Sequence, residues 1–74
     1  MTVDELEHKL SVNGWKWQCW EDLWEKEGKE ISFPELNMFK DDFKVILVSN
    51  VKVLYKDESG NGRIVTETEL NDIV

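Results

Sequence analysis

All four tryptophans of this chain fall within Trp15 to Glu30 (WKWQCWEDLWEKEGKE), and the acids Glu21, Asp22, Glu25, Glu27 and Glu30 share the stretch with them. Tryptophan brings a large area for burial and an N–H that needs a partner, whereas closely spaced carboxylates repel one another and have to stay in water. Whatever this segment folds into must have one dry side and one wet side. The chain has 74 residues, a size at which an apolar core only just offsets the entropy of ordering the backbone. The tryptophans are therefore predicted to be mainly core, and residues 1–74 to form one small acidic domain.

Two periodicities compete inside the segment. Trp15, Trp17 and Cys19 alternate as in a strand, while Trp17, Trp20, Leu23 and Trp24 recur at 3-4 spacing and Gly28 is placed to end a helix. The second pattern predicts a helix from about Trp17 to Glu27, with Trp17, Trp20, Leu23 and Trp24 on its apolar side. Glu21, Asp22 and Glu25 would then point outward, with Cys19 packed as a small hydrophobe.

Ahead of it, Thr2 and Glu5 fit a capping box, Asp4 and Glu5 suit the positive end of a helix dipole, and Val3, Leu6 and Leu10 repeat at helical spacing. This predicts a first helix from about Thr2 to Val12, stopped by Asn13-Gly14. Ile31 to Asp42 reads as a connection that tucks Phe33, Leu36, Met38 and Phe39 against the core. Within it, Ser32 is placed to cap a short helical turn with Pro34 near its start.

From Phe43 the composition changes. Val45 to Val48 is apolar throughout, as in a strand buried on both faces, and Ser49-Asn50 is read as a bulge or turn. Val51, Val53 and Tyr55 then alternate with polar residues. Asp57 to Gly62 supplies turn chemistry, and Arg63 to Glu69 returns as a second strand, which would set Lys52 and Lys56 across from Glu67 and Glu69. Leu70 to Val74 is left as a short apolar tail. The expected fold class is α+β: two N-terminal helical segments packed on a small antiparallel sheet ending in a β-hairpin.

Catalytic motifs are missing from the sequence. His8 lies among Glu5 and Glu7 on the first helix as a solvated residue, and no serine, cysteine or histidine grouping carries a nucleophile-base signature. One cysteine and one histidine are too few for a typical structural zinc site, and no glycine-rich loop precedes a helix to cradle phosphate. The sequence predicts no enzyme, no cofactor and no metal. One cysteine also excludes an internal disulfide, and no apolar run is long enough to span a bilayer. A reducing cytoplasm is the expected location.

One loop has a specific look. DESGNGRIVTETEL, from Asp57, resembles the calcium loop of EF-hand proteins, with Asp57, Ser59 and Asn61 at the first three ligand positions and Gly62 at the sharp turn. Ile64 matches the apolar eighth position. The twelfth, where the family has a bidentate glutamate, is Thr68, and the preceding VKVLYK reads as a strand where the family has a helix. A plain hairpin turn is the expected reading, and a calcium-binding hairpin the weaker alternative.

Charge gives the leading functional expectation. Sixteen acids against nine basic residues give a net charge of −7, a field that repels phosphate and attracts basic surfaces, so neither nucleic acid nor membrane is the expected ligand. A DNA strand carries one charge per ~3.4 Å, whereas acids at every fourth helical position give one per ~6 Å. A single helix row is too sparse to imitate a duplex. Acids from several elements, or from two subunits, would have to share a face. The candidate partner-binding residues are Glu21, Asp22, Glu25, Glu27, Glu30, Asp41, Asp42, Asp57 and Glu58.

In size, acidity and lack of catalytic residues the chain resembles the small phage-encoded inhibitors that mimic DNA and occupy basic surfaces of host DNA-binding proteins. The resemblance is one of composition across the whole chain. It carries over no functional residue. It implies a non-enzymatic protein that occupies the DNA site of a basic nucleic-acid-binding protein, such as an HU-type nucleoid protein, in a bacterial host cytoplasm, with a homodimer left open. The alternative is a protein-interaction module that docks through an exposed tryptophan patch, its acids serving solubility.

Overall fold

The computed structural model describes residues 1–36 and 45–74. In chain order the elements are α1 (Val3–Val12), β1 (Lys16–Gln18), β2 (Leu23–Lys26), β3 (Lys29–Ser32), a 3-10 turn (Val48–Asn50), β4 (Val53–Lys56), β5 (Gly62–Val65) and α2 (Glu67–Ile73). The strands form one antiparallel sheet in sequence order, β1-β2-β3-β4-β5. The protein is α+β, but only one helix precedes the sheet and the chain ends in a helix rather than in a hairpin.

α1 forms where the sequence signals it. The Thr2 hydroxyl accepts from the Glu5 N–H at 3.2 Å, and the Glu5 carboxylate accepts from the Thr2 N–H at 2.9 Å, closing the capping box. Val3, Leu6 and Leu10 share the buried face, and Gly14, at φ 92°, carries the chain away into Trp15, whose N–H bonds the Leu10 carbonyl at 2.9 Å.

The tryptophan segment is a β-hairpin, not the helix predicted from Trp17 to Glu27. In that helix Glu21 and Glu25 would stand at i, i+4 as a repelling pair, and the aromatic residues would lose χ1 freedom against the preceding turn. In the hairpin, Trp17 and Trp24 lie directly opposite each other on adjacent strands, ring centroids 5.5 Å apart and tilted by 59°. A cross-strand pair here produces the seven-residue spacing that a helix would also show. Trp15, Trp17 and Trp24 share one sheet face, Leu23 takes the other, and Trp20 sits in the Cys19–Asp22 loop at 100% exposure. Cys19 is exposed as well, not packed as a hydrophobe.

The second turn of this meander shows why Gly28 misled. Glu27 and Gly28 connect β2 to β3 with φ 52° and 84°, the two-residue primed turn that follows the sheet's right-handed twist. A glycine able to end a helix serves such a turn equally well. Beyond β3, the Leu36 N–H bonds the Phe33 carbonyl at 3.0 Å across a reverse turn with Pro34 in its second position, replacing the expected helical turn capped by Ser32.

The expected double-sided strand at Val45 to Val48 is not formed: Val45 and Leu47 are exposed, Val48 is buried, and the stretch leads into the 3-10 turn. It pairs instead with the chain before α1, through a Thr2–Leu47 bridge and hydrogen bonds from Val3 to Ile46 and from Val48 to Met1. Met38 and Phe39, expected against the core, lie outside the described residues, as does the start of that strand at Phe43.

The predicted hairpin at Asp57 to Gly62 is present. The Asp57 carbonyl accepts from Gly60, the Asp57 N–H bonds the Asn61 carbonyl, and Gly60 takes the positive φ of a bulged three-residue loop. Its second strand stops at Val65, because Thr66 and Glu69 form a second capping box and turn the expected tail, Leu70 to Val74, into α2. Lys52 and Lys56 therefore do not face Glu67 and Glu69. Lys52 pairs with Glu35 at 3.2 Å, and Lys56 stands opposite Glu30 and Gly62.

A single core joins the layers. Val3, Leu6 and Leu10 of α1 and Leu70 of α2 pack with Trp15, Trp24, Ile31, Phe33, Val48, Val53 and Val65, which places both helices on one face of the sheet. Glu27 is a non-glycine residue in the left-handed region, a strain of about 1 kcal/mol. Glu27→Asn is therefore expected to raise the urea midpoint by the equivalent of about 0.5–1 kcal/mol, and Gly28→Ala to lower stability by about 1 kcal/mol. Trp24→Ala is expected to cost about 3–5 kcal/mol, whereas Trp20→Ala should leave thermal unfolding nearly unchanged.

Candidate functional site

The meander divides the predicted acidic site rather than gathering it. Glu21 and Asp22 stand exposed in the β1–β2 loop, at the end of the sheet where β3 leaves and β4 enters. Glu27 lies in the β2–β3 turn at the opposite end. Its turn neighbour Gly28 approaches the β4–β5 loop of Asp57 and Glu58, since a Cβ there would lie 3.9 Å from the Glu58 Cγ. Glu25 and Glu30 are direct cross-strand neighbours on the face away from the helices. Asp41 and Asp42 lie outside the described residues.

Lysines are interleaved with these acids. The row across the outer face runs Lys16, Glu25, Glu30, Lys56, and the next row on the other face pairs Lys26 with Lys29. Lys29 sits over the Trp15 ring, Nζ 5.7 Å from its centroid. A shallow cleft of about 450 Å³ at this edge is lined by Gly14, Lys16, Gln18, Glu25, Lys26 and Glu27, with both signs of charge on its walls. The three lysines of the tryptophan segment offset three of its five acids, leaving a net of −2 with both signs intermingled.

Most of the formal net negative charge is carried by the helices, with Glu67 paired to the Met1 ammonium and Glu69 to the Arg63 guanidinium. α1 carries Asp4, Glu5 and Glu7 against Lys9, and α2 carries Glu67, Glu69 and Asp72 with no basic residue, so five of the seven net negative charges belong to these two elements. Their starts adjoin, since the Met1 ammonium donates to the Glu67 carboxylate at 2.5 Å. The sequence did hold a signal for the second helix: Thr66 and Glu69 repeat the spacing of Thr2 and Glu5.

The capping glutamates are firmly ionised. The Thr2 backbone N–H, then the Thr2 hydroxyl, hold the Glu5 carboxyl below its ordinary 4.5. For Glu69 the largest cause is the hydrogen bond from the Arg63 guanidinium, followed by the Thr66 backbone N–H. The calcium-like loop is closed on itself. Asp57 Oδ1 accepts from the Ser59 and Asn61 N–H groups at 2.9 and 3.0 Å, which ties the first expected ligand oxygen into the turn. Among the described residues no group of three His, Cys, Asp or Glu side chains is arranged to hold a metal ion. No helix among them is long and apolar enough to cross a membrane.

Compared with known protein families, characterised proteins and solved structures, the chain matches none.

Two expectations follow from the caps and the loop. The folded pKa values of Glu5 and Glu69 lie below their unfolded value, so both groups stabilise the fold fully above about pH 4.5 and lose that effect as pH falls through the depressed values. The stability gap between the native chain and a Glu5→Gln, Glu69→Gln double variant should be constant near neutral pH and close progressively in acid, as urea titrations at several pH values would show. Calorimetric titration with Ca²⁺ should release no binding heat.

Proposed function

We propose that the protein is a non-catalytic acidic binder that occupies the DNA site of a basic nucleic-acid-binding protein. The observation that carries this reading is the net charge of −7 together with its placement, five net charges on two helices that share one side of the sheet. Two adjoining helices supply what one sparse row lacks, acids from more than one element on a common side. Asp4 and Asp72 are exposed charges of this layer, whereas Glu21, Asp22, Glu25, Glu27, Glu30, Asp57 and Glu58 contribute at the two ends and outer face of the sheet with lysines among them. The partner class is a basic protein whose lysines and arginines otherwise meet phosphates.

A second reading has one observation of its own. Trp20 is fully exposed at a loop tip, and an aromatic side chain in that position suits the anchor of an apolar interface. In this reading the acids maintain solubility and the loop Cys19–Asp22 makes the contact.

Displacement of labelled duplex DNA from an HU-type nucleoid protein separates the two. The electrostatic reading expects displacement at ~50 mM salt that weakens steeply by ~200 mM, because each exposed charge contact is screened over roughly a Debye length. Combining Asp4→Asn with Asp72→Lys removes three units of charge and should weaken binding about tenfold, at roughly 0.5 kcal/mol per unit. Binding that is independent of salt and lost in Trp20→Ala would overturn the mimic in favour of the docking loop.

A further inference from the structure

The face of the sheet away from the helices is uncovered by any described element and has an ordered pattern. Register sets two rows across it. One runs Lys16, Glu25, Glu30, Lys56, Gly62 from β1 to β5, and the other runs Gln18, Leu23, Ser32, Leu54, Ile64. Leu23 and Leu54 are half-buried and Ile64 is 54% exposed, and none of the three belongs to the core or packs against it. The charged row sums to zero. In a molecule with a net charge of −7, this is the side on which two copies can approach without the repulsion that opposes contact through the helices.

We propose that this face packs against the same face of a second copy, about a two-fold axis parallel to the strands and lying between β3 and β4. Such an axis exchanges β3 with β4 and β2 with β5. From the register alone, it sets Leu23 over Ile64 of the second copy, Ser32 over Leu54 of the second copy, and Glu30 over Lys56 of the second copy, each contact occurring twice. Apolar side chains meet apolar or small ones, and acid meets base. Face-to-face sheets pack ~10 Å apart with strand directions aligned to within ~30°, the geometry this axis produces.

Alternative axes fit less well. Placing the axis through the centre of the charged row, between β2 and β3, would oppose Lys16 to Lys56 and Glu25 to Glu30. The chosen axis leaves β1 overhanging and brings the β1–β2 loop, with Trp20, to the end of β5 in the second copy. Four overlapping strands ~4.8 Å apart and ~13 Å long make a small interface, so assembly is expected at micromolar rather than nanomolar concentration. The dimer stands independently of which basic protein, if any, the acidic helices bind.

Sedimentation of the full chain from ~10 µM to ~1 mM tests this directly. Mass is expected to rise from 8.7 kDa towards twice that value. Ile64→Lys, at an exposed position, should remain monomeric with an unchanged circular dichroism spectrum. Glu30→Lys alone and Lys56→Glu alone should each be monomeric, because each sets like charges against each other across the interface. Mixed in equal amounts they should associate as a heterodimer, since each basic pair then meets an acidic pair. A monomer at ~1 mM, self-association that survives either charge reversal, or a mixture that stays monomeric would overturn the proposal. The mixture also distinguishes a lost interface from a damaged fold, because misfolded single variants would not recover on mixing.

Discussion

The dry face made by Trp24, Ile31, Phe33, Val53 and Val65 is the contact on which the remaining structure depends. Neither helix is long enough to be stable in water alone, since helices below ~12–15 residues are marginal without tertiary packing. α1 and α2 exist because Val3, Leu6, Leu10 and Leu70 find that face, and because each start is closed by a Thr-x-x-Glu box. The same dependence runs the other way. A five-stranded sheet of three- and four-residue strands has little to hold it flat, and its core face would be wet without the helices. Trp15 and Trp24 add area at a cost, for their buried indole N–H groups have no hydrogen-bond partner among the described residues.

The parts legible in the sequence were those whose signal is local. Thr2 to Gly14 is a complete helix statement with a cap, a periodic stripe and a stop. Asp57 to Gly62 is a turn whose chemistry admits few alternatives. The tryptophan segment failed because two elements can place apolar residues at the same sequence intervals. Trp17 and Trp24 are seven apart, which is two helical turns, yet here they are partners across a hairpin. Alternation of Trp15 with Trp17 was the truthful signal. Trp20 broke it because a loop residue answers to neither period, and Glu27, an uncommon residue for positive φ, concealed the primed turn. Val65 and Thr66 both favour strand, which hides the capping box that begins at Thr66 and starts α2.

The acidic site illustrates a second limit. Acids close together in sequence form one apparent group, but a meander interleaves neighbouring segments, and Lys16 and Lys56 come to flank Glu25 and Glu30 from β1 and β4. Net charge was legible, while its location depended on pairing that no local pattern encodes. The helix at the C-terminal end, missed in the sequence, carries three acids, two of them paired with the Met1 ammonium and Arg63, so missing the element also meant missing where that charge sits.

The two sides of the molecule consequently differ in kind. On the helical side two acids, Glu5 and Glu69, are held by the capping boxes and stay ionised because hydrogen bonds favour the charged form, Glu69 chiefly through Arg63. The open sheet face has the opposite character, with charges that cancel along one row and apolar side chains along the next. A charge-driven contact on the first side would fall off with salt, whereas the apolar part of a contact on the second would not. Association between copies through the sheet would leave both helix layers facing outward, doubling the number of acidic surfaces on one particle without placing them against each other. Local pairing of Glu25 beside Glu30, unfavourable by itself, is tolerable on that face because Lys16 and Lys56 adjoin it from β1 and β4.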